Sequence, residues 1–371
     1  MKISLLLPTA YGLGGGVRSA FNLAARLADA HEVEIVSVER HREVPFLPLD
    51  PRVRLRSLVD TRPESGTAGP MSVAFARLPR LMRTDLALWR YLRTPRTDVL
   101  ITGRPSLSIL AARHAPRRVI RIAREHTPPV PERAGVIKRL YAGLDAVVAV
   151  SEVDRGEYAS LLAGTGVRIR AIGNSLAPGN RPRSRMDNRI VAAAGRFVPS
   201  KSYDRLIHSF AIVVDKRPDW RLRLYGSGPE EKRLRSLVYD RELHNNVYFM
   251  GTTADIEGEF AKASVVAVTS RRESGAMSII EALGCGVPVV SFAGLRGVEE
   301  IVESEWNGIL VPEGEDDGQA FANALLGLID DDEQRKKMGV YALETSVRYG
   351  SQVIGAFWEE LIGELGAGRR S

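Results

Sequence analysis

Glu273 and Glu281 stand eight residues apart in the run Arg271 to Phe292, RRESGAMSIIEALGCGVPVVSF, the first just ahead of a helical stretch and the second inside it. Ser274, Gly275, Ala276, Met277 and Ser278 are expected to open that helix. Its free backbone N–H groups and positive dipole end would favour a diphosphate or a sugar oxygen, and the two carboxylates would accept hydrogen bonds from hydroxyls. A capping glutamate followed by a solvated helix glutamate is the plainer account of the same residues. The run Gly195-Arg196-Phe197-Val198-Pro199-Ser200-Lys201 follows a strand and precedes a helix carrying Leu206, Ile207 and Phe210. One guanidinium and one ammonium at a strand's carboxyl end would neutralise a diphosphate leaving group, Arg196 by bidentate contact and Lys201 as a point charge. Two surface cations beside a turn are commoner; the pairing with the two glutamates sets this segment apart.

Three other segments carry weaker signals. Gly12-Leu13-Gly14-Gly15-Gly16-Val17 joins the first strand to a helix expected near Arg18, and such glycines let backbone amides approach a phosphate closely. The third glycine of a dinucleotide fingerprint is missing, yet Glu39 closes the second strand as a ribose-binding acid would, which keeps an NAD-binding domain as a rival. Asp330-Asp331-Asp332 contains a formal D-x-D, but it leads into a helix-like run ending in Lys336 and Lys337, where acidic residues serve as cap and dipole partners. No metal is expected to be required. Arg80, Arg83 and Arg90, after Pro79 at an expected helix start, fall in one arc of a helical wheel, with Leu81, Met82, Leu88, Trp89 and Leu92 on much of the other side. Such a helix would touch anionic lipid headgroups, or it would face the core and leave its arginines in water; Asp85 interrupts the apolar side.

These residues need elements to hold them. Ile3 to Leu7, Val33 to Val38, Val99 to Thr102, Val119 to Ala123, Ala146 to Val150 and Ile169 to Ile172 read as buried strands separated by helical patterns, which is a parallel α/β half. After the polar, Arg-rich segment Pro178 to Asn188 the alternation restarts with Ile190 to Ala194, Leu222 to Tyr225, Val247 to Phe249, Val265 to Val268, Val287 to Ser291 and Ile309 to Val311. A second parallel sheet follows. Open α/β sheets bind ligands at the carboxyl ends of their strands, so a site in a cleft between two domains is expected. Residues 1–177 and 189–348 are read as the two domains, 178–188 as a linker and 349–371 as a helix returning to the first domain. In that last stretch Ile354, Phe357, Trp358, Leu361 and Ile362 recur at helical spacing and need an apolar surface to cover.

Composition bounds the function classes. A chain of 371 residues, 44% hydrophobic and 26% charged, is long enough for two cores and has no low-complexity segment. The first apolar run is too short for a signal peptide and no stretch approaches a membrane span, so the cytoplasm is the expected compartment, with membrane contact only peripheral. The single cysteine, Cys285, excludes an intrachain disulfide and a cysteine-cluster metal site, and is expected to be a small buried residue. The net charge of +7 is unevenly spread: Met1 to Met186 holds 30 Lys and Arg against 16 Asp and Glu, and the remainder 22 against 29. The two halves face different partners. No nucleic-acid partner is expected.

The two strongest motifs, in this order, resemble glycosyltransferase family 4 of the GT-B fold. The likeness covers nearly the whole chain and is firmest from Ile190 to Pro312, through GRFVPSKSYDRLIHSF, WRLRLYGSGPEEKRL, NNVYFMG and IIEALGCGVPVVSF. It thins between Arg40 and Asp98. The resemblance implies two Rossmann-like domains, the first for the acceptor and the second for a nucleotide diphosphate sugar, with transfer of the sugar at retained anomeric configuration. It assigns the donor diphosphate to Arg196 and Lys201, the sugar hydroxyls to Glu273 and the ribose to Glu281. It also sets Gly15 and Gly16 near the donor phosphate, as the Gly195 turn is, and His126, in Arg124-Glu125-His126-Thr127-Pro128, beside the reacting sugar carbon. Gly275-Ala276 replace the family's usual Phe-Gly, which leaves the sugar pocket outside the pattern. Gly297 to Glu300 resembles members that build bacterial exopolysaccharide or cell-envelope glycans, so a glycan or lipid-linked acceptor is expected, with UDP favoured in the donor and no further cofactor. Tailoring of a secondary metabolite, nucleotide-sugar epimerisation and a catalytically silent scaffold are the alternatives.

Overall fold

Apolar runs without polar alternation become strands buried on both faces, and parallel order requires a crossover between consecutive strands. The computed structural model describes residues 1–62, 80–129, 134–273, 275–314 and 316–368, without the side chains of residues 80 and 81. The chain divides into two compact units, Met1–Pro178 with Ser351–Ser371, and Gly179–Gly350.

In the first unit the chain runs β1 (Lys2–Thr9), α1 (Gly15–Leu27), β2 (Glu32–Arg40), β3 (Arg54–Asp60), α2 (Arg80–Arg93) and β4 (Val99–Thr102). It continues through α3 (Pro105–His114), β5 (Ile120–Glu125), α4 (Ala134–Tyr141), β6 (Ala146–Ala149), α5 (Glu152–Leu161) and β7 (Arg168–Ala171). These strands form one parallel sheet in the order β3-β2-β1-β4-β5-β6-β7. Strand β3 was not expected. Its sequence, RLRSLVD, alternates arginine with apolar residues, and it sits at the sheet edge with most positions only partly buried, so it lacks the apolar run that marks the inner strands.

In the second unit β8 (Ile190–Ala194), α6 (Tyr203–Lys216), β9 (Arg221–Tyr225), α7 (Glu231–Asp240), β10 (Val247–Gly251), α8 (Ile256–Phe260) and β11 (Val265–Val268) come first. Helix α9 (Met277–Gly284), β12 (Val289–Phe292), β13 (Gly308–Val311), α10 (Asp317–Asp330) and α11 (Asp332–Ser346) follow. The sheet order is β10-β9-β8-β11-β12-β13, again parallel. The direction of strand addition reverses between β8 and β11. Such a switch point opens a crevice at the carboxyl ends, because the crossovers on its two sides diverge there.

The segment read as a linker is bound to the second unit. Arg181 pairs with Glu257 at 3.0 Å, and Ser184 donates its backbone N–H to the Cys285 carbonyl at 2.9 Å and its Oγ to the Ala263 carbonyl at 2.6 Å. The last helix, α12 (Ser351–Ala367), packs on α1 in the first unit through Ile354, Trp358, Leu361 and Ile362. Phe357, expected on the same face, is 50% exposed. Its position falls 100° from Trp358 around the helix, which turns it off the buried stripe. At Gly355 the missing side chain matters, since a Cβ would lie 2.5 Å from Arg26 Cγ. Arg168 and Arg170 reach Glu364 at 2.7 and 3.0 Å, and His31 reaches Glu359 at 2.7 Å, along the same seam.

Candidate active site

The second unit's switch point carries the residues of both strong motifs. After β8 the chain makes a short 3-10 turn, Pro199–Lys201, and Ser202 adopts a left-handed conformation, φ +47°, before α6 begins. A non-glycine residue held there costs ~1 kcal/mol or more and needs neighbours to hold it. The loop after β11 supplies them: Thr269 Oγ1 donates to the Lys201 and Ser202 carbonyls at 3.3 and 3.0 Å, and the Arg271 N–H donates to the Ser200 carbonyl at 2.8 Å. Lys201 Nζ is thereby held in an ion pair with Glu273 Oε1, which also accepts from Ser270 Oγ at 2.8 Å. The Lys201 and Glu273 side chains are 23% and 11% exposed, enough to be reached by a ligand and buried enough for the pair to be only partly screened.

Two glycine constraints fix the floor beneath this pair. A Cβ on Gly195 would lie 2.9 Å from Tyr203 Oη and 3.6 Å from Lys201 Cε. A Cβ on Gly226, φ +149°, would strike the Gly195 carbonyl oxygen. Tyr203 is itself buried, and burial, with the Glu273 charge behind it, drives its phenol pKa upward, so it stays neutral. Arg196 is exposed beside the turn and makes no ion pair among the described residues.

Helix α9 begins at Met277, with Ala276 as its N-cap at ψ 97°, later than the expected opening at Ser274. Gly275 and Ala276 therefore continue the loop, and Ser274 lies outside the described residues. The N–H groups of Met277 and Ser278 occupy the first turn, where an α-helix provides no internal acceptor. Glu281 sits further along α9 and is 4% exposed. The structure thus brings Lys201 and Glu273 into direct contact beside the Gly195 turn, with Ser270 and Tyr203 as neighbours that sequence reading missed. Ser270 precedes Glu273 by three residues, the spacing at which a turn can fold a hydroxyl onto a carboxylate. Cys285 is buried and inert, its thiol pushed up to about 12 chiefly by burial. Asp331 caps α11, accepting from the Gln334 N–H at 2.8 Å, which is the cap role expected for that acidic run.

In the first unit, Gly15 and Gly16 form the exposed first turn of α1, which starts three residues before the expected Arg18. A Cβ at Gly14 or Gly16 would meet nothing within 4 Å. The space over this turn is open. His126 follows β5 and is partly buried; burial first, then the Arg124 charge, lowers its pKa far below the ordinary histidine value and keeps the imidazole neutral. Arg124 is 3% exposed and donates to Ser19 Oγ at 2.7 Å and Asn174 Oδ1 at 3.0 Å, with its guanidinium 5.8 Å from the Trp358 ring centroid. It locks α1, the segment after β7, and α12 around β5, the strand that His126 follows.

Two family models match along the chain: Glycosyltransferase Family 4 over residues 13–178 and Glycosyl transferases group 1 over residues 180–345. The chain is thus built of a glycosyltransferase family 4 domain followed by a glycosyl transferases group 1 domain. An exopolysaccharide phosphotransferase of Streptomyces coelicolor is 34% identical across 98% of this glycosyltransferase-family chain, which spans only 41% of that relative. An amylovoran biosynthesis glycosyltransferase of Erwinia amylovora is 23% identical over 97% of the chain and 99% of its own length. The fold is GT-B: a variant of S. aureus TarM, crystallised with fondaparinux, alpha-GlcNAc-glycerol and UDP, superposes with a TM-score of 0.78 over 97% of this chain and 99% of that one, at 16% identity. The dinucleotide-binding alternative lapses with the family assignment. Glu39, on which it leaned, accepts from Thr84 Oγ1 at 3.4 Å.

Helix α2 of this family member differs from the expected wheel. Pro79 and the Arg80 side chain lie outside the described residues. Leu88, Tyr91 and Leu92 enter the core with Leu6, Val36 and Leu100, whereas Met82, Leu86 and Trp89 are 55%, 37% and 39% exposed. The apolar residues thus divide between two faces. Arg93 lies 4.8 Å over the Trp89 ring and Arg90 is exposed, while Arg83 is partly buried. Among the described residues no helix is long and apolar enough to cross a membrane.

Proposed function

We propose that the chain is a retaining glycosyltransferase that moves a hexose or N-acetylhexosamine from a UDP-sugar to a glycan, lipid-linked or envelope-polymer acceptor, without a metal. The observation that carries this reading is the Lys201–Glu273 pair at the switch point of the second unit, beside the exposed Arg196 and the first turn of α9. Without a donor the two side chains neutralise each other. With a donor, Lys201 and Arg196 would turn to the diphosphate and stabilise the charge that builds on it as the glycosidic bond breaks, the role a metal ion otherwise fills. Glu273, kept in place by Ser270, would accept from sugar hydroxyls, and Glu281 from the ribose. His126, held neutral, would offer one ring nitrogen to the donor sugar without adding charge. The names of the Streptomyces and Erwinia relatives favour an exopolysaccharide acceptor, and the UDP in the TarM complex favours a uridine donor.

A panel of UDP, GDP, ADP and dTDP and their common sugars, beside NAD, tests this by thermal stabilisation. A UDP-sugar is expected to raise the melting temperature and to be slowly hydrolysed with EDTA present. If no nucleotide sugar raises it, the catalytic reading fails and a silent scaffold takes its place.

Peripheral membrane contact belongs to the same reading, now through Met82, Leu86 and Trp89 with Arg90 and Arg93 rather than an arginine face alone. Apolar and aromatic groups beside arginine suit an anionic interface. Flotation with phosphatidylglycerol vesicles is expected, weakened in Trp89→Ala; its absence at low salt removes the contact.

A further inference from the structure

The second unit carries an aromatic platform on the edge of its sheet opposite the switch point. Trp306 stands in the loop just before β13, at the amino ends of the parallel strands, whereas Lys201 and Glu273 follow carboxyl ends. The Trp306 and Tyr341 rings stack with centroids 3.5 Å apart and planes within 10°. Tyr341 covers one indole face, and the residue as a whole keeps 39% of its surface exposed.

The loop that presents it is built rather than loose. Glu305 is held left-handed, φ +64°, with its N–H donated to the Gly308 carbonyl at 3.0 Å. The buried Asn307 donates to the Ile301 carbonyl at 2.9 Å and to Thr345 Oγ1 at 3.0 Å, and its Oδ1 accepts from the Glu303 N–H at 2.9 Å. These bonds tie the loop to α11. A strained backbone persists only where its surroundings over-determine it, and here they fix a tryptophan that an ordinary surface would bury or lose.

The surroundings select the occupant. Glu303, Glu305 and Lys337 are exposed around the rings, with Lys337 Nζ 6.0 Å from the Tyr341 centroid. On α11, next to Tyr341 in sequence, the exposed Val340 and Glu344 line an open groove of about 740 Å³ together with Asn180 and Arg183. A flat aromatic face amid separated hydrogen-bonding groups suits the C–H face and hydroxyls of a pyranose, while carboxylates on the rim oppose an anionic lipid surface. We infer that this platform and groove form a second carbohydrate site, which holds a segment of a glycan chain remote from the donor residues. The choice of a glycan rests on the polysaccharide reading proposed above; the platform itself does not.

The test is affinity electrophoresis of the full chain in native gels cast with dextran, mannan, xanthan or hydroxyethyl cellulose. Retardation by at least one polymer is expected, weakened about tenfold in Trp306→Ala and largely kept in Trp306→Phe, which retains a ring on Tyr341. The melting temperature and the shift produced by UDP-sugar should stay unchanged in both variants. Absence of retardation in all four gels, or equal retardation of Trp306→Ala, overturns the inference. So does a change of oligomeric state in Trp306→Ala by sedimentation, which would make the face a protein interface. Loss of the UDP-sugar shift in the wild-type chain with retardation intact would defeat the donor assignment alone.

Discussion

Lys201→Ala is expected to lower hydrolysis or transfer of the donor by about a hundredfold to a thousandfold, the range for losing a preorganised charge on a developing anion. The larger share should fall on kcat, because the charge on the diphosphate grows as the sugar leaves. The resting structure adds a second consequence. Removing the ammonium leaves the Glu273 carboxylate, 11% exposed, with the Ser270 hydroxyl as the one remaining hydrogen bond to its Oε1 among the described residues, and a partly buried charge stripped of its counter-charge is destabilising. Glu273→Gln in the Lys201→Ala background should therefore recover stability while recovering no turnover, with a coupling of roughly 1–3 kcal/mol across the double-mutant cycle. Denaturant unfolding and donor hydrolysis measured on the same four proteins decide it. Additive stability effects would mean that the pair is incidental.

Gly226→Ala is expected to cost about 3 kcal/mol or more, or to prevent the second unit from folding. The added methyl would strike the Gly195 carbonyl and lie 3.3 Å from Phe197 Cε1, in a backbone region that alanine rarely adopts. Neither obstacle can swing away, since Gly195 donates its N–H to the Tyr225 carbonyl at 3.0 Å and Phe197 is fully buried. Any relief would move the turn that carries Arg196 and Lys201. Gly16→Ala makes the contrast: open space surrounds that position on α1, so its stability should change by less than about 1 kcal/mol. Equal unfolding free energies for Gly226→Ala and the wild type would show that the turn is not held as described.

Much of this was legible in the sequence. Runs such as Val265 to Val268 and Ala146 to Ala149 carry no polar alternation, which only a strand buried on both faces tolerates, and their spacing left room for crossover helices. The motifs around Lys201 and Glu273 could be marked because charge at the end of a buried strand is costly without a purpose. The edge strand β3 was hidden, since half-exposed positions accept arginine. The two faces of α2 were merged, because a helical wheel shows angle and not which angle meets the core.

What the sequence determined by itself was the parallel α/β class, the position of most of its strands along the chain and which residues have the chemistry of a candidate site. Local periodicity and residue chemistry suffice for these. The tertiary structure decided that β8 and β11 are neighbours, and hence that residues 72 positions apart form one ion pair. It also decided that Gly226 underlies the Gly195 turn, that Arg124 sits behind His126 and that Trp306 stacks on Tyr341. Each depends on strand order and packing, which arise only when distant segments share one core.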